Sequence, residues 1–141
     1  MLIKEFLKQA FYLDHRINSK IEQLDALNAL AQKANATLSD MPKGPRQSNS
    51  RLEEVVVKIV TLQEEINADI DKLVDMKKEI ASVINSVEDK EQLVVLEKRY
   101  LNFLSFEQIA VDLNYSIQHV FRIHKNALTL LKVENFQLES K

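Results

Sequence analysis

Cysteine is absent from the 141 residues, so neither a disulfide framework nor a cysteine-ligated metal site can form. Glycine occurs once, proline twice and tryptophan not at all, which leaves little material for turns. β-Branched residues do not fall in alternating runs, so strands are not indicated. No apolar run approaches the roughly 20 residues that a membrane-crossing helix needs. The opening Met1-Leu-Ile-Lys-Glu-Phe-Leu-Lys8 is amphipathic and charged, without the unbroken apolar stretch of a signal peptide. A cytoplasmic, all-α protein of few, long helices is the expectation, with 45% hydrophobic residues to build a core. Net charge is −2, so a basic coat over the whole surface is excluded, and any affinity for nucleic acid has to be local.

Catalytic chemistry is equally thin. A di-metal helical bundle wants Glu-x-x-His pairs, but His15, His119 and His124 follow Tyr12, Ser116 and Phe121 at that spacing. There is no glycine-rich phosphate loop, and no serine has a plausible histidine and acid beside it. No catalytic residue, metal, cofactor or small-molecule substrate is expected.

Helical periodicity is abundant. Ile3, Ala10, Ile17, Leu24 and Ala31 recur every seven residues, joined by Phe6, Leu13 and Leu27 and widened by Leu7 and Ile21. The helix this predicts, from Leu2 to about Ala36, would be on the order of 50 Å long. Its acids Glu5, Asp14, Glu22 and Asp25 break up the basic charges, which argues against a membrane-surface role. Leu38 to Ser50 holds both prolines and the glycine and reads as a loop. From Arg51 to about Val87 a second stripe runs through Ile59, Ile66, Leu73, Ile80 and Val87. Leu62, Met76 and Val83 accompany it, Ile70 and Ile84 widen it, and Asp69 interrupts it once. Eight acids against five bases keep that helix off DNA. Each helix has one apolar face, which suggests an antiparallel hairpin within the chain or a coiled coil between subunits, most simply a dimer. Both pairings stay open.

The C-terminal third is patterned differently. Asp89 and Glu91 place acids at the start of a short helix whose apolar residues are Leu93, Leu96, Tyr100 and Val94. Ser105, with Gln108 three residues on, forms a capping box that starts a helix at Phe106. Ile109, Ala110 and Leu113 give it an apolar face, and Asn114 suits a left-handed turn. Ser116 caps a further helix, whose Val120, Ile123, Ala127 and Leu131 point inward. Two capped helices joined by three or four residues predict a helix-turn-helix whose second helix reads DNA. The organisation expected is thus an arm over residues 1–87 with its loop at about 38–50, a module over 88–132 and a tail over 133–141.

Leu96-Glu-Lys-Arg-Tyr-Leu101, Ser105 to Ala110, Leu113-Asn-Tyr-Ser116, Val120 and Ala127-Leu128 resemble region four of bacterial sigma factors, the module that reads the upstream promoter element. The phrase His119-Val-Phe-Arg-Ile-His-Lys-Asn-Ala-Leu128 is similar to that of small phage and prophage proteins related to phage late-gene transcription regulators, which also carry two long helices ahead of the motif. The resemblance implies a bacterial host cell, DNA as partner and RNA polymerase as a further one. Ile123 and Asn126 stand where the promoter-reading module often has basic residues, so a complete sigma factor is not implied.

Charge in the module is uneven. Residues 88–132 carry six bases and six acids, but from Ile117 to Lys132 there are three bases and no acid. Phosphate affinity comes from Lys and Arg, and specificity from side chains that reach base edges. With Val120, Ile123 and Ala127 inward, the outward residues are Gln118, His119, Arg122, Lys125 and Asn126. Gln118 suits adenine, Arg122 guanine, and His119 an acceptor in the major groove. Lys125 and the Ser116 hydroxyl suit phosphate. Arg99 is expected to pair with Glu107, and His124 to pack inside the module. Phe121 reads either as a satellite core residue or as an exposed aromatic that contacts a thymine methyl or another protein. The function expected is DNA-binding transcriptional regulation of phage type. The alternative is a module that docks on RNA polymerase or another phage protein.

Overall fold

The structure, a computed structural model, describes residues 2–40 and 46–134, with side chains over 2–36 and 50–132. Every regular element among the described residues is a helix. These are α1 (Ile3–Asp40), α2 (Arg46–Ile84), α3 (Lys90–Tyr100), α4 (Phe106–Leu113) and α5 (Ile117–Glu134).

The long helices run further than their apolar stripes. Residues 38–40 continue α1 and 46–50 begin α2, so the loop expected over 38–50 is helical at both ends. Residues 41–45 lie outside the described residues. Helix propensity extends a helix past the last residue it has to bury. At its other end α2 stops at Ile84, before the expected Val87, which is buried in the turn that follows. Val133 and Glu134, expected in the tail, belong to α5, and residues 135–141 lie outside the described residues.

The chain divides into two compact units, Met1–Leu13 with Leu73–Lys141, and Asp14–Lys72. In the second unit Ile17 of α1 and Leu62 and Ile66 of α2 are buried. Lys20 lies 2.6 Å from the Asp69 carboxylate and 3.8 Å from that of Glu65. Asp69 is the residue that interrupts the stripe of α2, and its partner Lys20 interrupts that of α1 at the corresponding position. The two breaks answer each other as an ion pair. The hydrogen bond from Lys20 holds the Asp69 carboxyl below its usual value, although burial pushes the other way.

The first unit is broader than the stretch 88–132 that the sequence sets apart, because α1 and α2 each give it one end. One apolar cluster joins Ile3, Leu7 and Ala10 of α1 to Ile80 and Ile84 of α2, Leu96 and Tyr100 of α3, and Ala127 and Leu131 of α5. A second gathers Val95, Ile109, Ala110, Val120 and Ile123 from α3, α4 and α5. Helix α3 therefore buries two faces. The expectation of one face through Leu93, Val94, Leu96 and Tyr100 missed Val95, which is fully buried against the second cluster.

Candidate nucleic-acid interface

The placement of α5 begins with the caps before it. Asp89 starts α3 by accepting the Gln92 amide N–H at 3.0 Å. Ser105 and Gln108 form the full capping box: the Ser105 hydroxyl accepts the Gln108 amide at 3.2 Å, and the Gln108 side chain accepts the Ser105 amide at 2.8 Å. Asn114 closes α4 in the left-handed region, at φ 58° and ψ 43°. The Tyr115 amide there donates back to the Ala110 carbonyl at 2.9 Å. The Ser116 hydroxyl accepts the His119 amide at 3.1 Å and so caps α5. Three residues, Asn114, Tyr115 and Ser116, thus turn the chain from one helix into the next.

Inward, Val120, Ile123, Ala127 and Leu131 are all buried, as their spacing requires. Outward, Gln118, Arg122, Lys125 and Asn126 are exposed. At 100° per residue Gln118, Arg122 and Lys125 fall in a band about 60° wide, and Asn126 lies beside it. Thr129 shares the band and escaped the sequence reading. The signal was available from the same helical wheel, and its hydroxyl donates to the Lys125 carbonyl at 2.9 Å. His119 is only half-exposed, on the flank of the band. Its ring stands edge-on to Tyr115 at 4.8 Å, and Nε2 lies 3.8 Å from the Glu91 carboxylate. An acid that close opposes the approach of a phosphate.

Arg99 does not turn to Glu107 as expected. It donates to the Leu104 carbonyl at 3.0 Å and lies over the Phe106 ring, 4.3 Å from its centre. The guanidinium at the end of α3 meets the Leu104 carbonyl in the link that follows, while Glu107, in the first turn of α4, is exposed. Lys98 instead ties α3 to α4, 3.3 Å from Asp112. The link itself is tight, with Phe103 at φ 60°. A bulky side chain is uncommon there. It is held by Phe11, edge-on at 6.0 Å, and by Lys77, 4.7 Å above its ring centre.

His124 does pack inside, and its partner is Tyr100. The phenol oxygen and Nε2 are 2.6 Å apart and both rings are buried, with Phe106 edge-on to the imidazole at 4.9 Å. Burial, helped by the nearby Arg99, Lys4 and Lys8 charges, lowers the His124 pKa to about 4. Burial pushes the Tyr100 hydroxyl up to about 12 against the opposing Arg99 charge. Both groups are neutral near pH 7, so the pair holds α3 to α5 without a charge. Phe121, on the far flank of α5, is exposed and stands edge-on to Phe106 at 5.1 Å. Among the described residues no group of three or more His, Asp or Glu is placed to hold a metal ion, and no helix is long and apolar enough to cross a membrane.

A family model described as a protein of unknown function (DUF1492) matches residues 34–132. The chain belongs to the DUF1492 family. No curated protein and no solved structure matches it. The DUF1492 match starts near the end of α1 and runs through Lys132, so it takes in α2, α3, α4 and the exposed band of α5. The family description assigns no activity, and the functional reading therefore rests on the geometry of that band.

Proposed function

We propose that this DUF1492 protein is a DNA-binding transcriptional regulator of phage or prophage type. Helices α4 and α5 act as a helix-turn-helix similar to sigma region four, and α1 and α2 pair as an antiparallel helical hairpin that serves as its arm. The observation that carries the reading is the band of Gln118, Arg122 and Lys125, exposed along a helix without an acid from Ile117 to Lys132. An amide and a guanidinium one turn apart suit base edges, and Lys125, nearly a full turn further, suits phosphate. The Ser116 cap leaves the positive end of the α5 dipole beside the same face. His119 and Asn126 flank the band and make its outer contacts.

A second reading is favoured by apolar surface on the same module, where Val111 of α4 is 80% exposed and Phe121 of α5 is 46% exposed. In that reading the module docks on RNA polymerase or another phage protein and needs no DNA. Binding to fragments of the source genome at low and moderate salt separates the two. Regulation by DNA binding gives selective complexes whose affinity falls steeply with salt. Absent or salt-insensitive DNA binding, with polymerase capture retained, favours docking.

A further inference from the structure

Helix α2 carries a second heptad stripe, distinct from the buried one through Leu62, Ile66 and Ile80. Val56, Val60, Ile70 and Val74 are 46%, 47%, 40% and 47% exposed. Gln63 and Asn67, also exposed, stand between the two apolar pairs, and Glu53 and Lys77 stand one step beyond them. The steps from Glu53 to Lys77 alternate three and four residues throughout, the spacing that keeps one seam facing another helix along its length. Scattered exposed valines are ordinary, but two apolar pairs on one seam, with amides between them and opposite charges at the ends, form a pattern for helix pairing.

We infer that this outer stripe of α2 is the interface of an antiparallel homodimer, with a second copy of the same stripe as its occupant. The argument is chemical complementarity. Read in either direction, the stripe runs from a charge through two apolar residues to an amide. Laid antiparallel on a copy of itself, Glu53 meets Lys77, Val56 meets Val74, and Val60 meets Ile70, each twice. Gln63 meets Asn67 at the centre, where each amide offers a donor and an acceptor to the other. A parallel copy would set Glu53 against Glu53 and Lys77 against Lys77, which like-charge repulsion opposes. An unrelated apolar partner would leave the central amides unpaired. Lys77 is positioned by the Phe103 ring, 4.7 Å away, and among the described residues no carboxylate of its own chain pairs with it. This inference goes beyond the DNA-binding reading and stands without it. The two joined only through avidity, since a dimer would carry two reading helices.

The test uses the full chain. Sedimentation equilibrium of the wild type is expected to show a monomer–dimer equilibrium. Glu53→Lys should weaken it roughly tenfold by setting like charges together twice, and adding Lys77→Glu to the same chain should restore it. Because the protein has no cysteine, directed cross-linking is clean. Oxidising a mixture of Val56→Cys and Val74→Cys chains should give mixed disulfide dimers, while either chain alone gives none. Circular dichroism on each variant checks that the helices are retained. A wild type that stays monomeric overturns the inference. So does a Val56→Cys chain that cross-links to itself, which would make the pairing parallel, or a charge reversal that the double exchange does not repair.

Discussion

Protonating His124 is expected to loosen the packing of α3 on α5, and the size of the effect follows from its surroundings. The imidazole is buried beside Tyr100 and Phe106, with Nε2 2.6 Å from the Tyr100 oxygen. Desolvation first, and then the charges of Arg99, Lys4 and Lys8, bring its pKa from 6.5 to about 4. The folded state therefore binds this proton less readily than the unfolded chain does. Stability from the neutral ring is fully present above the unfolded value of 6.5 and is lost as pH falls toward about 4. At about 1.4 kcal/mol per unit the whole shift is worth at most roughly 3 kcal/mol, a large share of the stability of a small domain. Tyr100, pushed up to about 12, keeps its proton across this range and adds nothing to the slope. Urea unfolding of the wild type and of His124→Gln, from pH about 7.5 down to about 4, isolates the histidine, because carboxylate titrations common to both cancel. The wild type should be the more stable at neutral pH, and the gap should close by roughly 2–3 kcal/mol on acidification. A gap that stays constant with pH would refute the assignment of a buried, neutral imidazole.

Three further outcomes follow from the geometry of α3, α4 and the turn into α5. Asn114→Ala should cost about 1 kcal/mol through its left-handed backbone, whereas Asn114→Gly should be neutral within a few tenths, both read from thermal or urea unfolding. Ser105→Ala removes one arm of the capping box at the start of α4 and should cost about 1 kcal/mol in the same measurement. Leu96→Ala, in the cluster that joins α3 to α1, α2 and α5, should cost about 2–5 kcal/mol.

Periodicity makes the helical class, the inward faces and the caps of α4 and α5 legible in the sequence. Apolar spacing needs only one helix to be read, and a cap needs only its own few residues. Partners between helices were less accessible, because they depend on how elements are set against one another. Asp69 stood out as a break in a stripe, but nothing local pointed to Lys20. His124 was assigned to the interior without Tyr100, which lies 24 residues away in the chain. Charge alone pairs Arg99 with Glu107, because a backbone carbonyl such as that of Leu104 leaves no mark in the sequence. A single apolar stripe on α3 leaves out Val95, because the helix buries two faces. The exposed band of α5 is legible in the sequence in outline, but Thr129 belongs to it as well and His119 is only half-exposed. Its partial cover comes from Tyr115 and Glu91, and Glu91 belongs to another helix.

The central claim is that α5 reads DNA through Gln118 and Arg122. The most direct measurement is the affinity of the wild type and of Gln118→Ala/Arg122→Ala for the same selected genomic fragment, over a series of salt concentrations. The account predicts that the exchange removes sequence selectivity, with Arg122 alone contributing about 1–3 kcal/mol, while the residual salt-dependent binding from Lys125 and its neighbours persists. A folded double variant that binds the fragment as selectively as the wild type would contradict it.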